Sequence, residues 1–93
     1  MTLDEFREVA YARPFTTFVI HLKDGRQLRV CHQMATMIRP DHESLMSFAS
    51  LEDPPHGRER RFDYRFSEIE RIELRPDLPR WDIGEDCWIP SAG

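Results

Sequence analysis

The stretch FVIHLKDGRQLRV, residues 18–30, decides how this chain folds. Apolar residues alternate with others before and after the pair Asp24-Gly25, which is typical of a hairpin turn. A two-residue loop would place Arg29 beside Ile20 on the apolar face. A three-residue loop over 23–25 instead pairs position 20 with 28 and position 18 with 30, so that apolar residues face each other. The stretch therefore predicts an antiparallel hairpin whose glycine occupies the left-handed third position of the turn.

A short helix is predicted in front of the hairpin. Thr2 is a favourable N-cap, and Glu5, three residues later, completes a capping box. One apolar face collects the residues at the spacing i, i+3, i+6 and i+7, namely Leu3, Phe6, Val9 and Ala10. Pro14 ends the helix, because the residue before a proline is pushed out of helical geometry. A helix this short is not stable alone, so we expect it to lie against the sheet.

Further strand patterns follow the hairpin. The clearest is at 61–66, where aromatic and charged residues alternate. A single turn at 67–69 leads into a last strand, which is expected to direct Ile72 and Leu74 inward. The chain is too short for two packed sheets. The sequence therefore predicts a mainly β fold, with the N-terminal helix followed by a five-stranded, strongly bent antiparallel small barrel.

Length and charge limit the possible functions. The chain has 93 residues, 13 Lys+Arg and 17 Asp+Glu, which describes one small acidic domain. This balance disfavours large enzymes and proteins that hold nucleic acid through a globally basic surface. The barrel pattern covers residues 1–74, and residues 75–93 form a tail that contains Trp and Pro, where the prolines disfavour regular structure.

The expected compartment is the cytoplasm. No apolar run is long enough to span a membrane. The N-terminus is acidic and amphipathic, whereas a signal peptide would be basic and then continuously apolar. In a reducing compartment, Cys31 and Cys87 are expected to be free thiols.

A family resemblance rests on five short segments, namely DEFR (4–7), ARPF (12–15), FVIHL (18–22), DGR (24–26) and IxxIE (69–73). Over residues 2–74 the chain resembles a group of short uncharacterised bacterial proteins, which implies a fold and no activity. The barrel outline is similar to Sm-like and SH3-like small barrels. The Sm pattern ends after the hairpin, because no glycine follows the second strand and no Asp-x-x-x-Asn run occurs at 31–37. RNA binding is therefore not implied.

No residue spacing points to catalysis, a metal or a cofactor. The chain lacks a Gly-x-Ser-x-Gly motif and a phosphate-binding glycine loop. Its four histidines and two cysteines lack the spacing of zinc ligands. We therefore predict no enzyme, no metal site and no cofactor. A small-molecule sensor or enzyme is the third hypothesis, for which one pocket would gather His21, His32 or carboxylates.

Two sets of residues are candidate binding surfaces. The tail set is Trp81, Ile83, Trp88 and Ile89. These residues dock either on their own barrel or on a partner or second copy. The second set is Arg58, Arg60, Arg61 and Arg65. It forms either a site for a single nucleic-acid strand or, as the interleaved Glu59 and Asp63 favour, an ordinary charged strand face.

We therefore predict a non-enzymatic small-barrel interaction module. It binds a protein partner or self-associates, through exposed strand edges or through the Trp-containing tail. The alternative, which the balance of charges does not favour, is a single-stranded nucleic-acid-binding protein that uses the arginine-rich strand face.

Overall fold

We describe a computed structural model of the chain over residues 2–12, 15–32, 34–51, 59–82 and 87–89. Within these ranges one α-helix, one 3-10 turn and eight strands form. They are α1 (Leu3–Ala10), β1 (Phe18–Leu22), β2 (Gln27–Val30), β3 (Thr36–Ile38), β4 (Ser44–Ala49), β5 (Arg60–Arg65), the 3-10 turn (Phe66–Glu68), β6 (Ile69–Leu74), β7 (Arg80–Asp82) and β8 (Cys87–Ile89). The predicted mainly β class with one short N-terminal helix is confirmed. No described helix has the length and the apolar composition that crossing a membrane would need.

The prediction of five strands that close into a barrel is wrong for the described residues. Their strands form three antiparallel sheets, with the orders β2-β1-β6, β3-β4-β5 and β7-β8. β5 and β6 are each the last strand of a sheet. The 3-10 turn connects them, and they do not pair with each other. The first two sheets meet where Arg29 and Ser50 exchange backbone hydrogen bonds of 2.8 and 3.0 Å. The tail, which the prolines were expected to keep irregular, contributes β7 and β8.

The predicted register of the first hairpin is confirmed. Phe18 pairs with Val30 and Ile20 pairs with Leu28. The turn residue Gly25 has a φ of 98°, and its N–H donates to the Leu22 carbonyl at 3.0 Å. A residue with a side chain is strained at this φ, which explains why a glycine stands at the third loop position.

The helix closes the core through one aromatic side chain. Thr2 caps it as predicted, since its Oγ1 accepts from the Glu5 N–H at 3.2 Å. Phe6 is fully buried, and its ring meets Phe18 and Phe66 edge to face, at centroid distances of 6.4 and 5.5 Å. Such perpendicular aromatic pairs add to the free energy gained by burial alone.

One predicted core residue is wrong. Leu74 is 57% exposed, while Ile72 on the same strand packs partly against the core. Leu74 is the last residue of β6 and lies opposite Phe18, the first residue of β1. The sheet ends at this pair, so little structure remains to cover Leu74.

The outer face of β1 is buried as well as its inner face. Val19 on this face and Thr17 just before β1 are each 1% exposed. The Thr17 hydroxyl donates to the Pro79 carbonyl at 2.8 Å, and the Arg75 N–H donates to the Thr17 carbonyl at 2.7 Å. The beginning of the tail therefore lies against its own sheet. A strand covered on both faces is typically a continuous apolar run, as Phe18–Ile20 is.

The turn between β3 and β4 depends on one carboxylate. Asp41 Oδ1 accepts from the N–H groups of Glu43 and Ser44, both at 2.9 Å, and Oδ2 accepts from the Ser44 hydroxyl at 2.8 Å. These bonds, first that from Glu43, lower the pKa of Asp41 to about 2. His42, inside the turn, has a φ of 58°, which few residues other than glycine adopt.

Asp41→Asn is expected to flatten the acid dependence of stability. Because the folded state lowers the Asp41 pKa from its ordinary 3.8 to about 2, its ionised form stabilises the fold above about pH 4. That stabilisation is lost as the pH falls through 2. Urea unfolding between pH 2 and 7 should show a shallower decline for the variant and a lower free energy of unfolding at pH 7. Glu70→Gln, which changes an exposed side chain on β6, serves as the control. If the free energy of unfolding of Asp41→Asn falls with pH as steeply as that of the wild type, the stabilising role of the ionised Asp41 is contradicted.

Candidate interaction surface

The tail strands bring the two tryptophans of the chain together. Trp81 on β7 pairs directly with Trp88 on β8, and Arg80 pairs with Ile89. The two indole rings meet edge to face, with centroids 5.6 Å apart and planes at 82°. Ile89 belongs to the opposite face of the strand pair, since neighbouring residues alternate sides. Three of the four predicted tail residues are thus placed, and Ile83 lies outside the described residues.

The tryptophan pair is attached to the body of the protein at the end of β2. The Trp81 N–H donates to the Cys31 carbonyl at 2.7 Å. This contact belongs to an isolated parallel bridge between His32 and Trp81. The sequence left open whether the tail docks on its own protein or on a partner. The structure places Trp81 against the end of β2, and both indoles keep part of their surface exposed.

A groove forms where the tryptophans meet the second sheet. It has a volume of about 500 Å³ and is lined by His32, Phe48, Glu59, Trp81 and Trp88. We call it the aromatic groove. Phe48, on the outer face of β4, is 43% exposed. Three aromatic side chains from two sheets thus share one opening, beside a carboxylate and an imidazole.

The polar groups of the aromatic groove have defined states. The Cys31 thiol donates to Glu59 Oε1, with sulfur and oxygen 3.0 Å apart. Burial and, next, the Glu59 carboxylate raise the pKa of Cys31 far above its usual range, so the thiol stays neutral. His32 Nδ1 accepts from the Met34 N–H at 3.2 Å.

Glu59 supplies a negative charge to the described lining of the aromatic groove. Within the described ranges, no Lys or Arg forms an ion pair with this carboxylate, and its side chain is exposed. The described contact of Glu59 is with the neutral thiol of Cys31. Among the described residues, the aromatic groove therefore combines three rings with a carboxylate that has no ionic partner.

The arginine set is only partly brought together. Arg60, Arg61 and Arg65 lie exposed on β5, and Arg58 lies outside the described residues. Arg61 Nε donates to Asp63 Oδ2 at 3.2 Å, and Arg39 contacts the other oxygen of the same carboxylate. Hydrogen bonding from Arg61 first, and also from Arg39, lowers the pKa of Asp63. The carboxylate therefore neutralises part of this strand face, and nucleic-acid binding here stays a prediction.

The other histidine considered from the sequence lies in a different place. His21 lies on the outer face of β1, and only 12% of its side chain is exposed. Its Nε2 lies 3.0 Å from Glu73 Oε1. In the part of the chain that the structure describes, no three His, Cys, Asp or Glu side chains form a group that could hold a metal. His32 and Glu59 are thus the pair that the third hypothesis asked for, in one groove and without His21.

Sequence reasoning missed two residues of the aromatic groove, Phe48 and Glu59, and named His32 only for the pocket of the third hypothesis. A weak signal existed for Phe48, since it shares the outward parity of β4 with Ser44 and Met46. No local signal existed for Glu59, which lies in the groove only through contacts with distant segments of the chain.

Comparisons of the chain with protein-family models, with curated proteins and with solved structures find no match. The functions proposed below therefore rest on the residues of the chain itself.

Proposed function

We propose that this protein is a non-enzymatic interaction module that self-associates through the edge of β3. The observation that carries the proposal is the position of this strand at the end of the sheet β3-β4-β5. An edge strand presents unpaired backbone groups, which are a template for another strand.

The register shows which backbone groups face the edge. The Phe48 N–H donates to the Ala35 carbonyl at 2.8 Å, and the Arg39 N–H donates to the Ser44 carbonyl at 3.0 Å. Since bonding alternates along an antiparallel strand, positions 35, 37 and 39 bond to β4. The backbone groups of Thr36 and Ile38 point the other way. Among the described residues, neither has a second strand beside it.

The side chain at the centre of the edge suits a second copy of the chain. Met37 is 58% exposed, and it lies midway between Thr36 and Ile38. Two β3 strands that pair antiparallel about Met37 would exchange backbone hydrogen bonds between Thr36 of one copy and Ile38 of the other. The two Met37 side chains would then face each other. Pro40 lacks an N–H and ends the ladder, so the interface is small and the dimer is weak.

The non-enzymatic part of the proposal is supported by the state of the buried thiol. Cys31 is a described thiol with a carboxylate beside it, an arrangement that resembles an activated pair. Its raised pKa keeps it protonated and its side chain is fully buried, so it does not attack a substrate.

Met37→Lys is the test of the edge. Sedimentation equilibrium should show that the mass of the wild-type protein rises with concentration toward that of a dimer. The variant loses the methionine contact and places two lysines opposite each other, so its dissociation constant should rise about tenfold or more. Circular dichroism checks that the variant is folded, which is expected because the Met37 side chain is exposed.

Leu74→Lys is the matched control. Leu74 is 57% exposed, close to the value for Met37, but it lies on β6 in the other sheet. This variant should dimerise like the wild type. A wild-type protein that stays monomeric at millimolar concentration, or a Met37→Lys variant that associates as strongly as the wild type, would overturn the proposal.

A further inference from the structure

We propose that the aromatic groove is a binding site for a quaternary ammonium group. The inference does not depend on dimerisation, because β3 lies outside the residues that line the groove. It concerns a ligand of defined chemistry, a cation whose charge is covered by methyl groups.

The walls of the groove have the shape that such a cation requires. The planes of Trp81 and Trp88 stand at 82°, so the two indoles form a corner rather than a stack. The partly exposed ring of Phe48 adds a third aromatic surface. Cations bind over aromatic faces because the ring quadrupole is negative there, and tryptophan is the strongest of these side chains.

The charge of the groove matches a cation and opposes an anion. Glu59 lines it without an ionic partner in the described ranges. Its Oε1 accepts from the Cys31 thiol, and His32 Nδ1 accepts from the Met34 N–H. Among the described lining residues, the Glu59 carboxylate therefore supplies a negative charge next to aromatic surfaces of low dielectric constant, which strengthen its effect.

The aromatic character of the described lining favours a quaternary over a primary ammonium. A lysine ammonium has three N–H donors that lose their water when it enters a groove. Among the described side chains that line this groove, Glu59 Oε1 already accepts from Cys31 and His32 Nδ1 already accepts from Met34, so three N–H donors would share Glu59 Oε2. A quaternary ammonium has no donors to satisfy, so it loses less on leaving water.

Intrinsic fluorescence reports directly on this site, because the two tryptophans that line the groove are the only two in the chain. Choline chloride is the first probe, and 3,3-dimethylbutan-1-ol, a neutral molecule of the same shape, is the second. At constant ionic strength, choline should change the tryptophan emission with saturation in the millimolar range. Its affinity should exceed that of the alcohol about tenfold. Equal affinity for the two probes would overturn the proposal.

Three variants separate the contributions. Glu59→Gln keeps the acceptor for Cys31 but removes the charge, and should weaken choline binding about fivefold. Phe48→Leu keeps apolar bulk without a ring face and should also weaken it severalfold. Glu70→Gln removes an exposed carboxylate on β6 and should bind choline like the wild type. If Glu59→Gln and Phe48→Leu both bind choline as well as Glu70→Gln does, the site is not the aromatic groove and the proposal is wrong.

A second arm identifies the source of the cation. A short peptide with one trimethylated lysine is compared with the same peptide unmethylated. Higher affinity for the trimethylated than for the unmethylated peptide supports the site. If the trimethylated peptide binds more tightly than choline, the ligand is a polypeptide. If choline binds more tightly, the ligand is a small molecule. Tighter binding of the unmethylated peptide would contradict the proposed preference for a quaternary over a primary ammonium.

Discussion

Phe6→Ala is expected to lower the free energy of unfolding by about 3–5 kcal/mol, the range measured when a buried phenylalanine is truncated. Phe6 is 0% exposed and is the largest buried side chain of α1. The truncation leaves a cavity between the helix and the rings of Phe18 and Phe66. Because a domain of this size has about 5–15 kcal/mol of stability, the variant should be close to unfolding.

Urea denaturation followed by far-ultraviolet circular dichroism measures this loss. Phe6→Leu keeps most of the volume and should cost about 1–1.5 kcal/mol, so that a folded reference exists if the alanine variant does not fold. Glu8→Ala, on the exposed side of the same helix, should change stability by less than about 0.5 kcal/mol. A cost below about 1 kcal/mol for Phe6→Ala would show that the helix does not close the core.

Ser47→Ala is expected to cost about 2 kcal/mol, more than its small change in volume suggests. Ser47 is 0% exposed, and its Oγ lies 2.6 Å from the Tyr64 hydroxyl and 2.9 Å from Thr36 Oγ1. Burial raises the pKa of Tyr64 well above its usual range, so its hydroxyl remains a donor. The variant leaves two buried hydroxyls without this partner, and an unsatisfied buried polar group costs about 1–3 kcal/mol.

The triple variant Thr36→Val, Ser47→Ala and Tyr64→Phe decides whether the loss comes from unsatisfied hydroxyls. It removes all three polar groups, and so it should be more stable than Ser47→Ala alone, although it carries more changes. Equilibrium urea unfolding of both variants gives the comparison. If the triple variant loses more free energy of unfolding than Ser47→Ala, then the loss in Ser47→Ala does not come from hydroxyls left without a partner.

The residue pattern of β4 shows where prediction from sequence becomes uncertain. The strand SLMSFA has an apolar residue on each face, Leu45 on one and Phe48 on the other. Local alternation does not say which face is inward. Pairing of Leu45 with Tyr64, and of Ser47 with Phe62, settles the choice, since the Tyr64 hydroxyl needs a buried partner that Ser47 supplies. Phe48 is thereby turned outward to line the aromatic groove.

The tail shows the same dependence on distant contacts. Its tryptophans stand out in the sequence, but nothing near them indicates that Trp81 would bond to Cys31, fifty positions earlier. The burial of Thr17 explains part of this docking, because its hydroxyl bonds to the Pro79 carbonyl. Removing the whole tail would therefore uncover the outer face of β1, and point variants are the sounder test of its role.

The sequence by itself determined the helix cap at Thr2, the register of the first hairpin and the mainly β class. Each of these depends on residues close together in the chain, where capping, turn geometry and alternation act. Only the tertiary structure decided that the described strands form three sheets, that the tail docks, and that His32, Glu59 and three aromatic rings meet in one groove. These outcomes depend on pairing between distant segments, whose free energy comes from burial and hydrogen bonds that no local pattern encodes.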